Sequence, residues 1–320
     1  MAHRAVALLG LLLLVALPAR GQDVPVVFVV NDALTKDRPL AGVRVSAARA
    51  AGAQDGPQGL TDATGRVTLQ LAPGSWVVSY ELHGYVPLTD TPLEVRSGAQ
   101  EVTTSLLPSL ESEGGASGAP PQRRIAVVLN WGSDTGAHLR DADSHLAVER
   151  VHVYFGCKTA AHAAAHLELD VDDTSWGGPE TITVRDYEPG RYVYWVHDWS
   201  DGPGAIGASE VIVRLLVDDG VAGEWRAPPT ATARVWRPFR AVVVDDQGIA
   251  HVESFTPDEL AQGLDRQVPA EVERNVDWSA ADAGVGGGVG IGQACCVLVG
   301  LLMAIGVAAG FLRGALRAVK

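Results

Sequence analysis

Residues 59–87, GLTDATGRVTLQLAPGSWVVSYELHGYVP, decide how the chain is read. Apolar and polar residues alternate through RVTLQL and SWVVSYEL, and the apolar places hold Val, Leu, Trp and Tyr. A period of two puts successive side chains on opposite faces, which suits a strand with one face on a core and the other in water. Between the runs stand DATG and APG, where Asp, Gly and Pro supply the backbone angles of tight turns. Asp62 to Gly65 reads as a hairpin turn, and Pro73-Gly74 as a tight turn before the strand that holds Trp76. The pattern extends back through VPVVFVV and AGVRVSAA and forward through PLEVRS and EVTTSLL. Short alternating runs with no long helical period indicate an antiparallel β-sandwich over residues 22–108.

The order of these pieces resembles the carboxypeptidase regulatory-like domain, a transthyretin-like sandwich with a carbohydrate-binding-like fold. Pro39, Leu40, Gly42, Val43 and Val45 match its first strand, and Thr61, Asp62 and Gly65 its turn. Pro73, Gly74, Trp76 and Val78 match the next strand, and Gly84-Tyr85 its close. The resemblance implies a fold and no chemistry.

Residues 109–123 are rich in Gly, Ser, Pro and Ala and read as a flexible linker. A second set of strand-like runs fills residues 124–255, among them RIAVVLNW, HLELDV, ETITVRDY, GRYVYWVHDW and SEVIVRLLVD. YVYWVH is apolar on both faces, as in a central strand covered on each side. The expected fold class is therefore all-β, with two tandem β-sandwich domains and one C-terminal transmembrane helix. After the second sandwich, Thr256-Pro257-Asp258-Glu259 has the N-cap, N1 proline and N3 glutamate of a short helix. Residues 256–293 then read as a stalk.

The two ends place the chain. Residues 1–21 have a basic start, an apolar run too short to span a bilayer, and Ala19-Arg20-Gly21 before the expected cleavage point, which is the pattern of a signal peptide. Residues 294–312 carry no charge, and Arg313, Arg317 and Lys320 follow them. That length crosses a hydrocarbon core, and the basic tail at 313–320 points to the cytoplasm, with everything before the span outside. A glycolipid-anchor signal would end in an apolar tail instead. Gly288, Gly292, Gly306 and Gly310 give small-xxx-small spacings that would let two spans approach as a homodimer. The net charge of −13 leaves no basic stripe for nucleic acid. Of the three cysteines only Cys157 lies in the exported part, so no disulfide can form within it. Asn31, Asn130 and Asn275 lack glycosylation sequons.

The second sandwich holds the candidate chemistry. In LELDVDDTSWGGPETITV, residues 167–184, alternation sends Leu167, Leu169 and Val171 to one face and Glu168, Asp170 and Asp172 to the other, with Asp173 next along the chain. Asp141 and Asp143 share a face in RDADSHL. Neighbouring carboxylates repel unless a cation or a basic side chain neutralises them. Two readings stay open. The oxygens of Asp141, Asp143, Glu168, Asp170, Asp172 and Asp173 hold Ca²⁺, or Asp172 and Asp173 make turn hydrogen bonds while Arg185 or Arg191 pairs the rest. An EF-hand is excluded, because Thr174, Ser175 and Thr181 stand at ligand and glycine places. His162 and His166 have a zinc-like spacing, with His152 and Cys157 nearby, but Ala163 stands where a hydrolase needs its glutamate. Ser144 beside His145 is adjacency without a nucleophile elbow. Among the aromatics Trp176, Tyr187, Tyr192, Tyr194, Trp195 and Trp199, most belong in a core, while Trp176 and Trp199 are candidates for stacking on a ligand.

LNWGSDTGAHLRDADSHL, HVYFGCKT, LDVDDTSWGGPETITV and GRYVYWVHDWS resemble the bacterial YfaP-like family of unknown function, with Trp176-Gly177 departing from its usual Gly-Tyr. No activity comes with that resemblance. The sequence thus points to a single-pass surface protein whose non-catalytic ectodomain binds a carbohydrate or protein, rigidified by Ca²⁺. The alternative is a metal-dependent hydrolase in the second sandwich, with an open-sided ion beside His145, His162 or His166.

Overall fold

The computed structural model describes residues 22–269, apart from residue 54 and residues 114–122, 133–138, 175–176, 201–205 and 230. The expected signal peptide, the span at 294–312, the basic tail and stalk residues 270–293 lie outside the described residues. Among the described residues, no helix is long and apolar enough to cross a membrane.

The described chain is almost all β. The first seven strands are β1 (Val24–Asp32), β2 (Arg44–Ala48), β3 (Gln58–Leu60), β4 (Arg66–Leu71), β5 (Gly74–Glu81), β6 (Leu88–Val95) and β7 (Gln100–Leu106). They form two sheets, in orders β4-β1-β7 and β3-β2-β5-β6. Alternation makes the core: Val26, Phe28 and Val30 of β1 meet Trp76, Val78 and Tyr80 of β5. Two details differ from the sequence reading. β1 pairs with β7 in parallel, so the sheet is not wholly antiparallel. The turn at Asp62–Gly65 is no hairpin, because β3 and β4 lie in different sheets. The Asp62 carboxylate accepts from the N–H groups of Thr64 (2.8 Å) and Arg66 (3.0 Å) as the chain crosses over. Gly65 there has φ +72, and a Cβ would lie 2.5 Å from the Val30 carbonyl oxygen, so both backbone and space require glycine.

A single turn of helix, α1 (Leu110–Glu113), precedes the second set of strands. These are β8 (Arg124–Asn130), β9 (Ala142–Val148), β10 (Val151–Val153), β11 (Thr159–His162), β12 (Ala165–Val171) and β13 (Glu180–Arg185). There follow β14 (Gly190–Asp198), β15 (Ile212–Val217), β16 (Gly220–Arg226), β17 (Val235–Trp236), β18 (Ala241–Val244) and β19 (Ala250–Glu253). One sheet runs β11-β12-β13-β8-β15-β16 and the other β10-β9-β14-β18-β19, with β17 also on β14. Ile125, Val127 and Leu129 of β8 and Tyr192, Tyr194 and Val196 of β14 share the core between them.

β8 is buried on both faces because its outer face is covered by the first set of strands. Ala126, Val128 and Leu216 pack against Ala33, Val86 and Leu107. Polar side chains bond across this interface: Arg214 Nη1 donates to Thr104 Oγ1 at 2.6 Å, and Asn130 Nδ2 donates to Ser105 Oγ at 3.0 Å. Arg124, fully buried, donates from Nη2 to the Pro108 carbonyl at 2.8 Å. The residues around the expected linker are thus anchored on either side of segment 114–122.

Residues 256–269, the first part of the expected stalk, are folded onto the second strand set. Thr256 caps α2 (Pro257–Ala261) in a capping box with Glu259, as the sequence pattern indicates. The chain then folds back. Asp265 is buried, its carbonyl accepts from Arg237 N–H at 2.7 Å, and Val268 packs against Ala147 and Trp195. Residues 256–269 therefore cover a face of the second sheet pair.

Leu107→Ala is expected to cost about 2–5 kcal/mol, because the methyls it removes lie between the two strand sets. Urea denaturation followed by tryptophan fluorescence measures this, and an unchanged midpoint would contradict the interface.

Candidate functional site

The site lies at the end of the second strand set where β9 starts, β12 ends and β13 begins. On β9 and β14 the antiparallel register sets His197 directly across from Asp143, and Trp195 across from His145. β10 pairs only with Leu146–Val148, so the β9 edge away from β14 has no strand beside it near Ser144 among the described residues. The Ser144 N–H instead donates to Glu180 of the opposite sheet, and Ser144 Oγ lies 2.9 Å from the Tyr194 hydroxyl. Glu180 opens β13 after the cis peptide Gly178-Pro179. Gly178 is needed there, since a Cβ would sit 2.8 Å from the Trp131 ring.

One carboxylate oxygen each from Asp143, Asp172 and Glu180 lies within 4.8 Å of the other two. Glu180 is 0% and Asp143 4% exposed. Asp141 Oδ1, Asp143 Oδ2, Asp172 Oδ1, Glu180 Oε1 and Asp198 Oδ2 are buried atoms without a hydrogen-bond partner among the described residues. Two lysines approach the rim. Lys158 Nζ lies 2.6 Å from Asp172 Oδ2, and Lys36 Nζ lies 3.5 Å from Asp173 Oδ1 and 2.9 Å from the Asp172 carbonyl. Among the described residues, no ion pair reaches Asp143 or Glu180.

The electrostatic consequence follows from burial and like charge. Burial first, then the neighbouring Asp141, Asp172 and Asp198, push the Asp143 carboxyl up to about 8. Asp141 rises to about 6, by burial and then by Asp172 and Asp173. Burial and Asp143 hold Glu180 well above the usual carboxylate range.

The sequence candidates divide. Asp143 and Asp172 converge with Glu180, Asp141 lies near enough for its charge to act on Asp143, and Asp173 pairs with Lys36. Glu168 and Asp170 do not join. Arg185 holds both, at 3.1 Å each, and Thr183 Oγ1 donates to Asp170 at 2.8 Å. Arg185 is the diagonal cross-strand neighbour of Glu168, so a basic side chain already neutralises that pair. Trp199 is half-buried against Phe155 (5.4 Å) and His197 (5.6 Å), and its N–H donates to the Asp141 carbonyl at 3.1 Å. Trp176 lies outside the described residues. Tyr187, Tyr192, Tyr194 and Trp195 are buried, as expected of core aromatics. His162 and His166 are not one helical turn apart. They flank the tip of the β11–β12 hairpin, where Ala163 has φ 53, and make no metal pair.

Glu180, Asp198 and His197 were absent from the sequence candidates. Their signal was a charged or polar residue at the end of a strand whose other positions are apolar. A separate cleft of about 540 Å³, counting space open to solvent, lies between the two strand sets. Asn130, Trp131, Arg214 and Arg226 line it with Tyr80 and Glu101.

No family model and no curated protein matches the chain. Solved structures give distant likenesses. A protein of unknown function matches at 15% identity, covering 46% of this chain and 98% of its own, with a TM-score of 0.33. A DUF3823 family protein from Parabacteroides merdae matches at 12% identity over 64% of this chain and 98% of its own, TM-score 0.21. A candidate carbohydrate-binding protein from Bacteroides uniformis matches at 11% identity over 65% and 97%, TM-score 0.23.

The raised Asp143 carboxyl sets a pH dependence. Below the ordinary carboxylate value of 3.8, folded and unfolded chains both hold the proton and the cost is absent. As pH rises the unfolded chain ionises first, so the folded state loses stability until about pH 8. Asp143→Asn removes that cost. In chelator-treated protein the variant is expected to melt higher than the wild-type chain by a margin that grows from pH 5 to pH 8. A margin independent of pH would contradict the buried, unpaired carboxyl.

Proposed function

We propose that the chain is a surface-displayed, non-catalytic binding module built from two tandem sandwiches. In this reading a signal peptide and a C-terminal span hold it on the outer side of a membrane. A Ca²⁺ ion at the loop end of the second sandwich fixes the face that meets an extracellular carbohydrate or protein.

One observation carries the reading: one oxygen each of Asp143, Asp172 and Glu180 lies within 4.8 Å of the other two, with no basic partner on Asp143 or Glu180 among the described residues. Calcium takes oxygen ligands at about 2.3–2.6 Å, so opposite ligands lie about 4.6–5.2 Å apart. The 4.8 Å limit on these oxygens fits within that sphere. Asp141 and Asp198 are near enough for their charge to act on Asp143, and waters would complete a coordination number of six to eight. Half-buried Trp199 beside Asp141 offers an aromatic edge on which a sugar ring would stack.

A second reading, metal-dependent hydrolysis, has one observation in its favour: imidazole nitrogens of His145 and His197 adjoin Asp143. It requires an ion with an open coordination position.

The experiment is a thermal melt of the purified chain with and without calcium, paired with elemental analysis. At calcium 100-fold above its dissociation constant, the gain is about 2.7 kcal/mol, which raises the melting temperature by several degrees. Glu180→Gln is expected to abolish the shift. An unchanged melt and no bound metal would leave the ion reading without support.

A further inference from the structure

The outer face of the β9–β14 pair carries a second donor set that overlaps the oxygen site only at Asp143. Asp143 and His145 project from the same face of β9 by alternation, and His197 stands across from Asp143 on β14. One ligand atom each of Asp143, His145 and His197 lies within 4.8 Å of the other two. This follows from register: a cross-strand pair and its two-residue neighbour are the closest same-face positions a sheet offers.

The surroundings fix these rings. His145 Nδ1 lies 3.0 Å from His152 Nε2, and the two rings stack with centroids 5.2 Å apart. His145 also stacks on Trp195 at 4.9 Å, and His152 on Tyr154 at 4.4 Å. An imidazole that ligates a metal through one nitrogen is usually oriented through the other, and here His152 is that second partner of His145. Two imidazoles and one carboxylate against aromatic walls differ in kind from the all-oxygen set. Imidazole nitrogens suit borderline ions such as Zn²⁺ and Co²⁺, whereas Ca²⁺ selects oxygen.

We propose that Asp143, His145 and His197 form a second metal site, selective for a Zn²⁺-class ion, which shares Asp143 with the neighbouring oxygen site. The site goes beyond the calcium reading and does not depend on it, since Glu180 and Asp172 take no part. Three protein ligands leave room for a fourth group, a water or a donor from a bound partner.

The test uses the full chain, stripped of metal and titrated with Co²⁺, whose visible absorption reports nitrogen-containing, low-coordinate sites. The expected result is a band that saturates at about one equivalent and is displaced by Zn²⁺. His197→Ala is expected to weaken Co²⁺ binding at least about 10-fold while the calcium-dependent melting shift, if present, persists. Glu180→Gln is expected to leave the Co²⁺ band intact. His197 is only partly buried, so its replacement is the safer probe; His197→Cys, which restores a ligand, is expected to shift the band toward that of a sulfur-ligated ion. The proposal is overturned if no band forms, if the band is indifferent to both His197 variants, or if Glu180→Gln removes it. The last outcome would mean that Co²⁺ merely enters the oxygen site. Loss of the calcium shift in wild-type chain with a retained, His197-dependent Co²⁺ band would refute the calcium reading alone.

Discussion

A carboxylate that leaves water must be paired, protonated or bound to a metal, because the desolvation cost of an isolated ion is several kcal/mol even after relaxation. The second strand set of this chain contains both outcomes within a few residues. Asp170 is half-buried and meets Arg185 and Thr183, so its charge has a partner. Asp143 and Glu180 are buried deeper and meet other acids. Their oxygens sit close together, where Coulomb repulsion in a poorly screened interior is largest. The arrangement is stable either with protons in place or with a cation among them, and proton release on cation binding then links the two.

The architecture explains why acids meet at that point. On the side away from β14, β9 is bordered among the described residues by a strand only at its far end, which leaves the Ser144 N–H to reach across to Glu180 in the other sheet. The two sheets thus come together at the loop end, where β12 delivers Asp172 and the approach to β9 delivers Asp141. The first strand set contributes as well. Lys36 reaches the Asp172 carbonyl and the Asp173 carboxylate, so the rim of the site is built from both halves of the chain. Burial of Arg124, Arg214 and Asn130 between the halves makes that contact part of a continuous packed structure.

Much of the fold was legible because alternation is a local property. β1, β5 and β12 could be read from every second residue, and the capping box at Thr256 from four residues. Partner choice was not legible. DATG announced a turn, yet whether that turn joins neighbouring strands or crosses between sheets depends on contacts far along the chain. The same limit governs the site. Alternation put Glu168, Asp170 and Asp172 on one face, and Arg185 or Arg191 was the expected partner; the β12–β13 register decides that Arg185 takes the first two. Glu180 heads the ETITV run, and its role follows only from β9 lying against it. His197 likewise required the β9–β14 register. The histidine spacing at 162 and 166 misled for a related reason, since a helical separation of four residues is equally that of a tight hairpin.

Diffraction from crystals of the chain grown with calcium tests the central claim most directly. The account predicts a single strong peak bounded by oxygens of Asp143, Asp172 and Glu180 at about 2.3–2.6 Å. Carboxyl groups that instead share protons in hydrogen-bonded pairs, with no ion between them at saturating calcium, would contradict it.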